Sequence, residues 1–218
     1  MTDRADERAA DPVELALRLA PMLPEQSALI GALALSAHGY ARATDDVDFI
    51  SNAEPPEIQA RLAAAGIQSL VRRGDFLEGD IRSCVYGTVD GIRFDVLFPP
   101  VPINWSGIVT LPIVAGRPSL RVVDLETLIR LKLKAGGPQD LIDVVQLVRR
   151  HPEKQQFAGD VAQAYRLKDR LDDWMADPRI RSPAEPPPLP PLPEKPAAQR
   201  KRARPAKAAG SARRTTRR

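Results

Sequence analysis

Three carboxylates set into apolar strands constrain this chain more than any other feature. In "TDDVDFIS" (44–51) the acids Asp46 and Asp48 run straight into Phe49 and Ile50, and in "IRFDVLF" (92–98) Asp95 stands between core-type residues. Residues two apart on a strand face the same side, so Asp46 and Asp48 point together while Asp45 and Val47 point away. An ionised carboxylate inside an apolar strand is costly to desolvate unless it is paired or bound to a cation. Two strands that bring three such groups to one spot make a hard, oxygen-rich site of the kind that holds Mg²⁺ together with substrate phosphates. The plainer alternatives are edge-strand charges that discourage aggregation, and a pair between Asp95 and Arg93 on the same face.

The elements around these acids predict a mixed α/β domain. "DPVELALRLAPML" reads as a first helix with Asp11 as its cap and Pro12 in its first turn, "SALIG" (27–31) as a short apolar strand, and "ALALSAHGY" as a short helix ending at Gly39. After the strand that carries Asp46 and Asp48, "PPEIQARLAAAG" reads as a helix with Pro at its start and Gly66 at its end. "IQSLVRR" and "IRSCVYGTV" read as strands, and Asp90-Gly91 as a hairpin turn leading into "IRFDVLF". A Pro- and Gly-containing loop spans 99–118. Asp124 then caps "DLETLIRLKLKAG", Pro138 starts "PQDLIDVVQLVRRH", and "QQFAGDVAQAYRLKDRLDDWMA" reads as one weaker helix. Cys84, the single cysteine, allows no internal disulfide and reads as a core residue.

The formal net charge of +4 conceals two opposite parts. Beyond residue 182 stand ten basic and two acidic side chains, a net of +8; the 22 basic and 26 acidic residues before it leave −4. The tail opens with "PAEPPPLPPLPEKP", a polyproline-type spacer, and continues as "QRKRARPAKAAGSARRTTRR". The expected organisation is a disordered N-terminus over 1–11, an α/β core over 12–118, a helical part over 119–180 and a disordered Pro-rich and basic tail over 181–218. Lys/Arg blocks of this kind bind nucleic acid without base recognition, so 199–218 is a candidate nucleic-acid arm. No apolar run reaches membrane-spanning length, and "MTDRADERAADP" lacks a signal-peptide core. These readings predict a cytoplasmic protein with no membrane partner.

The string "GALALSAHGYARATDDVD" (31–48), the distant Asp95 and "LIRLKLKAGGPQDLIDV" (128–144) together resemble the nucleotidyltransferase superfamily with the polymerase-β-like fold. Within it they resemble the AbiEii-like bacterial abortive-infection branch. The likeness covers roughly 27–148: a Gly-led turn opening a helix, His-Gly, Arg-x-Thr, Asp-x-Asp, a third acid on a later strand, and a Leu-Lys helix followed by Asp-Leu-x-Asp. It implies transfer of a nucleoside monophosphate from an NTP to an acceptor hydroxyl, with Mg²⁺ or Mn²⁺, and a cognate toxin–antitoxin partner. The acceptor, whether RNA, protein or a small molecule, stays open. By the resemblance, Asp46, Asp48 and Asp95 are the catalytic and metal-binding acids. Gly31, Ala32, Arg42, Thr44 and Lys132 are the nucleotide-binding residues. His38, Asp140 and Asp143 are supporting candidates. The family's second turn residue is usually Gly or Ser; Ala32 keeps the backbone N–H and loses the hydroxyl. The alternative is a non-catalytic relative that binds a nucleotide or a partner protein.

Several of these residues have simpler uses. His38 fits a packed or helix-capping role. Arg42 meets either a carboxylate or phosphate oxygens. One of Lys132 and Lys134 is a solvated charge. Asp140 suits a helix N-terminus electrostatically, and Asp143, one turn later, is placed to orient Lys132.

Overall fold

The computed structural model describes residues 11–73 and 84–180. The chain divides after Ser182, and all described residues belong to the first of its two units. Of the expected disordered N-terminus at 1–11, only Asp11 is described, as the cap of the first helix; residues 1–10 and the expected tail at 181–218, with its polyproline spacer and basic arm, lie outside the described residues.

Among the described residues β1 (Ser27–Leu29), β2 (Asp46–Ser51), β3 (Leu70–Arg72), β4 (Cys84–Val89), β5 (Ile92–Leu97), β6 (Val109–Pro112) and β7 (Ser119–Val122) form a seven-stranded mixed sheet in the order β3-β4-β5-β2-β1-β7-β6. Helix α1 (Pro12–Leu19) starts where expected: the Asp11 carboxylate accepts from the Val13 N–H at 2.9 Å, with Pro12 in the first turn. Strand β1 (Ser27–Leu29) is buried throughout and lies between two neighbours, antiparallel to β2 (Asp46–Ser51) and parallel to β7 (Ser119–Val122). Helix α2 (Gly31–Ala37) connects β1 to β2, and α3 (Pro55–Ala64) follows. Short β3 (Leu70–Arg72) forms one edge against β4 (Cys84–Val89). The hairpin from β4 to β5 (Ile92–Leu97) turns at Asp90 and Gly91, whose φ values of 52° and 82° are those a tight I′-type turn needs.

The decisive register is β2 on β5. They run parallel, with Asp46 opposite Arg93 and Asp48 opposite Asp95. The alternate residues Val47, Phe49, Phe94 and Val96 are buried on the other face. One face of this strand pair therefore goes to the core, and the other presents the acids.

Three expectations need correction. Residues 99–118 are not simply loop: β6 (Val109–Pro112) forms a hairpin with β7 and supplies the second sheet edge. Strand β7 also places residues 119–122 in the sheet, so the helical part begins at α4 (Leu125–Ala135), not at 119. Both strands alternate, with Leu120 and Val122 buried and Ser119 outward, but the alternation runs over only four residues amid Pro112, Gly116 and Pro118, too brief to stand out from a loop. The last helix is two: α6 (Gln155–Ala164) and α7 (Lys168–Ala176) are separated at Arg166, whose φ is 58°. The break lets Leu171 turn into the core, which a straight polar helix would not do.

Helix α4 begins at Asp124, whose carboxylate accepts from the Thr127 N–H at 2.9 Å, and ends at left-handed Gly136. Helix α5 (Pro138–Arg150) follows at once. Buried Leu128, Ile129 and Leu133 on α4 and Leu141, Val144, Val145 and Val148 on α5 join the sheet's core cluster, so the helical part is packed as one body with the sheet. Among the described residues no helix is long and apolar enough to cross a membrane.

Candidate functional site

Strand pairing brings Asp46, Asp48 and Asp95 to one face. The Arg93 guanidinium ties two of them together: its Nη2 lies 3.0 Å from Asp95 Oδ2 and 3.5 Å from Asp46 Oδ2. Thr44 holds the other oxygen of Asp46, donating from Oγ1 to Oδ1 at 2.6 Å. Asp48 lies beside Asp95 across the strand pair. Burial first, then the charges of Asp46 and Asp95, push its carboxyl up to about 6 from the usual 3.8, with Lys132 and Arg93 pulling the other way.

Gly31 explains how Asp48 fits. The Ile30 N–H donates to the Asp48 carbonyl at 2.9 Å, which draws the chain entering α2 across β2. Gly31 has φ +67°, and a Cβ there would stand 2.2 Å from Asp48 Oδ2. The carboxylate thus fills the space a side chain would take, and only glycine permits both the backbone conformation and the approach. Ala32 is 4% exposed. Replacing Gly31 by Ala is expected to cost at least about 2 kcal/mol from the positive φ plus steric overlap. In an Asp48→Ala background the overlap part should disappear and the φ part remain. Urea denaturation of the four proteins measures both, and an unchanged midpoint for Gly31→Ala would disprove the close approach.

A second charged cluster lies on the helical side. Asp143 on α5 is fully buried and accepts from three donors: Arg42 Nε at 3.2 Å, Lys132 Nζ at 2.8 Å and Gln139 Nε2 at 3.0 Å. Lys132, itself 9% exposed, also donates to Asp140 Oδ1 at 3.0 Å. Asp140 in turn accepts from the Gly137 N–H at 3.3 Å at the start of α5. As the protein stands, Arg42 pairs with the Asp143 carboxylate, and Asp143 pairs with Lys132 as well. Lys134 is exposed and lies over the Tyr165 ring, 5.6 Å from its centre. His38 sits at the C-terminus of α2 and shares a hydrogen bond with the Val123 carbonyl at 2.8 Å, and burial lowers its pKa. That is the packed, helix-end role. Cys84 is buried, as expected of a core residue.

The donor chemistry of the acid face suits a hard divalent cation, and a cationic group already stands between two of its oxygens. As they stand, no three Asp, Glu, His or Cys side chains among the described residues close tightly enough to grip one ion. The sequence offered the Arg93–Asp95 pair; it did not show the reach of Arg93 to Asp46 or the part of Gln139. Arg93 was visible as a partner of Asp95, two residues away, but its reach to Asp46 depends on the β2–β5 register. Gln139, which completes the shell of Asp143, carries no signal beyond its i,i+4 spacing.

A glycine-led helix entry laid against acids on two adjacent strands, with a buried lysine nearby, is the arrangement of a nucleotidyltransferase-type domain. The family model described as "Nucleotidyl transferase AbiEii toxin, Type IV TA system" matches residues 18–215, and the chain belongs to that family. No curated protein matches it. Similar solved structures include a candidate nucleotidyltransferase from H. pylori, 17% identical, covering 80% of this chain and 86% of the other, with a TM-score of 0.47. ANT(2")-Ia in complex with adenylyl-2"-tobramycin is also 17% identical, over 71% of this chain and 94% of that one, with a TM-score of 0.47. An antigenic nucleotidyltransferase-like protein from Paracoccidioides brasiliensis is 19% identical, over 74% and 87%, with a TM-score of 0.45.

Proposed function

We propose that this protein transfers a nucleoside monophosphate from an NTP to an acceptor hydroxyl and releases pyrophosphate. The observation that carries the reading is the parallel β2–β5 register, which aligns Asp48 with Asp95 and leaves Asp46 one step along the same face. Asp46, Asp48 and Asp95 would hold Mg²⁺ or Mn²⁺, which supplies positive charge to the triphosphate when bound. Asp95 orients the acceptor hydroxyl and takes its proton as the oxygen attacks the α-phosphorus. The bond from that phosphorus to the bridging oxygen breaks, and pyrophosphate leaves with the electron pair. Gly31 and the Ala32 N–H would face the phosphates, Lys132 and Arg42, which share Asp143, would offset their charge, and Thr44 would hold Asp46 in place. Catalysis of this kind is mostly positioning and charge stabilisation.

The test incubates the protein with each labelled NTP, Mg²⁺ or Mn²⁺ and a cell lysate, and measures pyrophosphate. The labelled fraction, RNA, protein or small molecule, identifies the acceptor class. Family membership further supports a toxin acting with a cognate antitoxin protein. One observation favours a second reading, nucleotide binding without chemistry: Lys132 is already neutralised by Asp140 and Asp143. In that case NTPs raise the melting temperature and no pyrophosphate appears.

The basic arm at 199–218 is proposed to bind polyanions by charge alone. Affinity for RNA should fall steeply with salt. Deleting 183–218 should remove that binding while leaving transfer to a small acceptor, as filter binding at two salt concentrations would show. Equal binding by the truncated protein, with the same salt slope, would exclude the arm.

A further inference from the structure

We infer that Arg93 is a tethered competitor for the divalent cation of the acid face: it neutralises Asp46 and Asp95 when no cation is bound, and must swing out for one to enter. The inference rests on the metal-dependent reading above and concerns a residue which that reading leaves without a role.

The register creates the arrangement. Arg93 lies opposite Asp46 across the strand pair and two residues before Asp95 on its own strand, so all three side chains share a face. One nitrogen, Nη2, reaches an oxygen of each acid, at 3.0 and 3.5 Å. Among the described residues Asp46 and Asp95 have no other ion-pair partner, and Asp48 has none. A Mg²⁺ or Mn²⁺ ion shared by Asp46 and Asp95 needs those oxygens at about 2.1 Å. The guanidinium already lies between them. Two cations in that space would overlap and repel, so occupancy by one excludes the other.

Arg93 is also free to leave. Its side chain is 60% exposed, while that of Asp95 is 18% exposed. The guanidinium sits at the solvent mouth, on a flexible stem, and can be rehydrated at little cost. Asp143 is the opposite case: its cations are mostly enclosed and its carboxylate is fully buried. Arg93 therefore has the properties of a placeholder. It relieves carboxylate repulsion in the empty site and raises the cation concentration needed for loading.

The experiment is a Mn²⁺ titration of the full chain, followed by electron paramagnetic resonance of free Mn²⁺ and by calorimetry, for the wild type, Arg93→Ala and Arg93→Lys. Removing two partly exposed ion pairs predicts that Arg93→Ala binds Mn²⁺ about twofold to thirtyfold more tightly. Arg93→Lys should fall between the two. A second readout uses melting temperature. In chelator Arg93→Ala should melt below the wild type, and in saturating Mn²⁺ the gap should close, because neither loaded protein then uses Arg93. If the wild type binds Mn²⁺ and Arg93→Ala binds equally or more weakly, the competitor role is overturned and the metal reading stands. A melting gap that persists in saturating Mn²⁺ overturns it as well. If no variant binds Mn²⁺, both the inference and the metal-dependent reading fall. Should Arg93→Ala not fold, Arg93→Lys alone decides, by binding more tightly than the wild type or not.

Discussion

Asp48→Asn is expected to lower nucleotidyl transfer by about a thousandfold or more while making the cation-free protein more stable at pH 8. The first effect follows from the proposed role, since a neutral amide cannot replace a carboxylate as a charged ligand. The second follows from the enclosure of Asp48 between Gly31, Asp46 and Asp95. Its carboxyl titrates at about 6 in the folded protein, against 3.8 unfolded. Below about pH 3 the group is neutral in both states and costs nothing. As pH rises, the unfolded chain releases the proton first, and the folded state loses ground until both are ionised above about 6. The penalty then stands at about 3 kcal/mol. Asparagine removes it, so the gain should be full at pH 8 and vanish near pH 3. Urea denaturation in chelator at the two pH values measures it. A variant less stable than the wild type at pH 8 would make Asp48 a structural ion-pair partner and withdraw its catalytic role.

Asp143→Ala is expected to have the largest effect on stability, a loss of about 3–5 kcal/mol. The wild-type carboxylate is fully buried and accepts from Arg42, Lys132 and Gln139. Truncation leaves the Lys132 ammonium, 11% exposed at its side chain, with Asp140 alone, and leaves Arg42 unpaired. Desolvation of cations without an adequate partner carries most of the cost, which gives the prediction a control. Adding Lys132→Met to Asp143→Ala should recover part of the loss, because a stranded charge disappears with it. Denaturation midpoints of the two single variants and the double variant test this. A loss below about 1 kcal/mol for Asp143→Ala would mean that water enters the cluster and that the buried network does not hold Lys132 and Arg42.

The contrast between the two acids is physical. Both are enclosed carboxylates. Asp143 is surrounded by donors and is stabilising where it is; Asp48 has carboxylate neighbours and glycine backbone against it, and is held at a cost. Cost retained at a position that local packing does not need is characteristic of functional sites.

Much of this was legible in the sequence because local rules decide it. The alternation through "DDVDFIS" determined that Asp46 and Asp48 share a face opposite Val47, and Asp90-Gly91 determined the β4–β5 hairpin. Asp11 with Pro12, Asp124 and Pro138 determined where α1, α4 and α5 begin, since caps act within one helical turn. Family membership, too, was readable from the order and spacing of the motifs. Tertiary structure alone decided the rest. The four-residue strands β6 and β7 exist because β1 offers β7 an unpaired edge, a condition set 90 residues earlier in the chain. The break at Arg166 follows from where Leu171 must be buried. Whether Arg93 faces one acid or two, and whether Arg42 meets a phosphate or Asp143, depends on which strand or helix lies alongside. Charge pairing between distant segments acts through space over a few ångströms, and a linear sequence does not record which segments come that close.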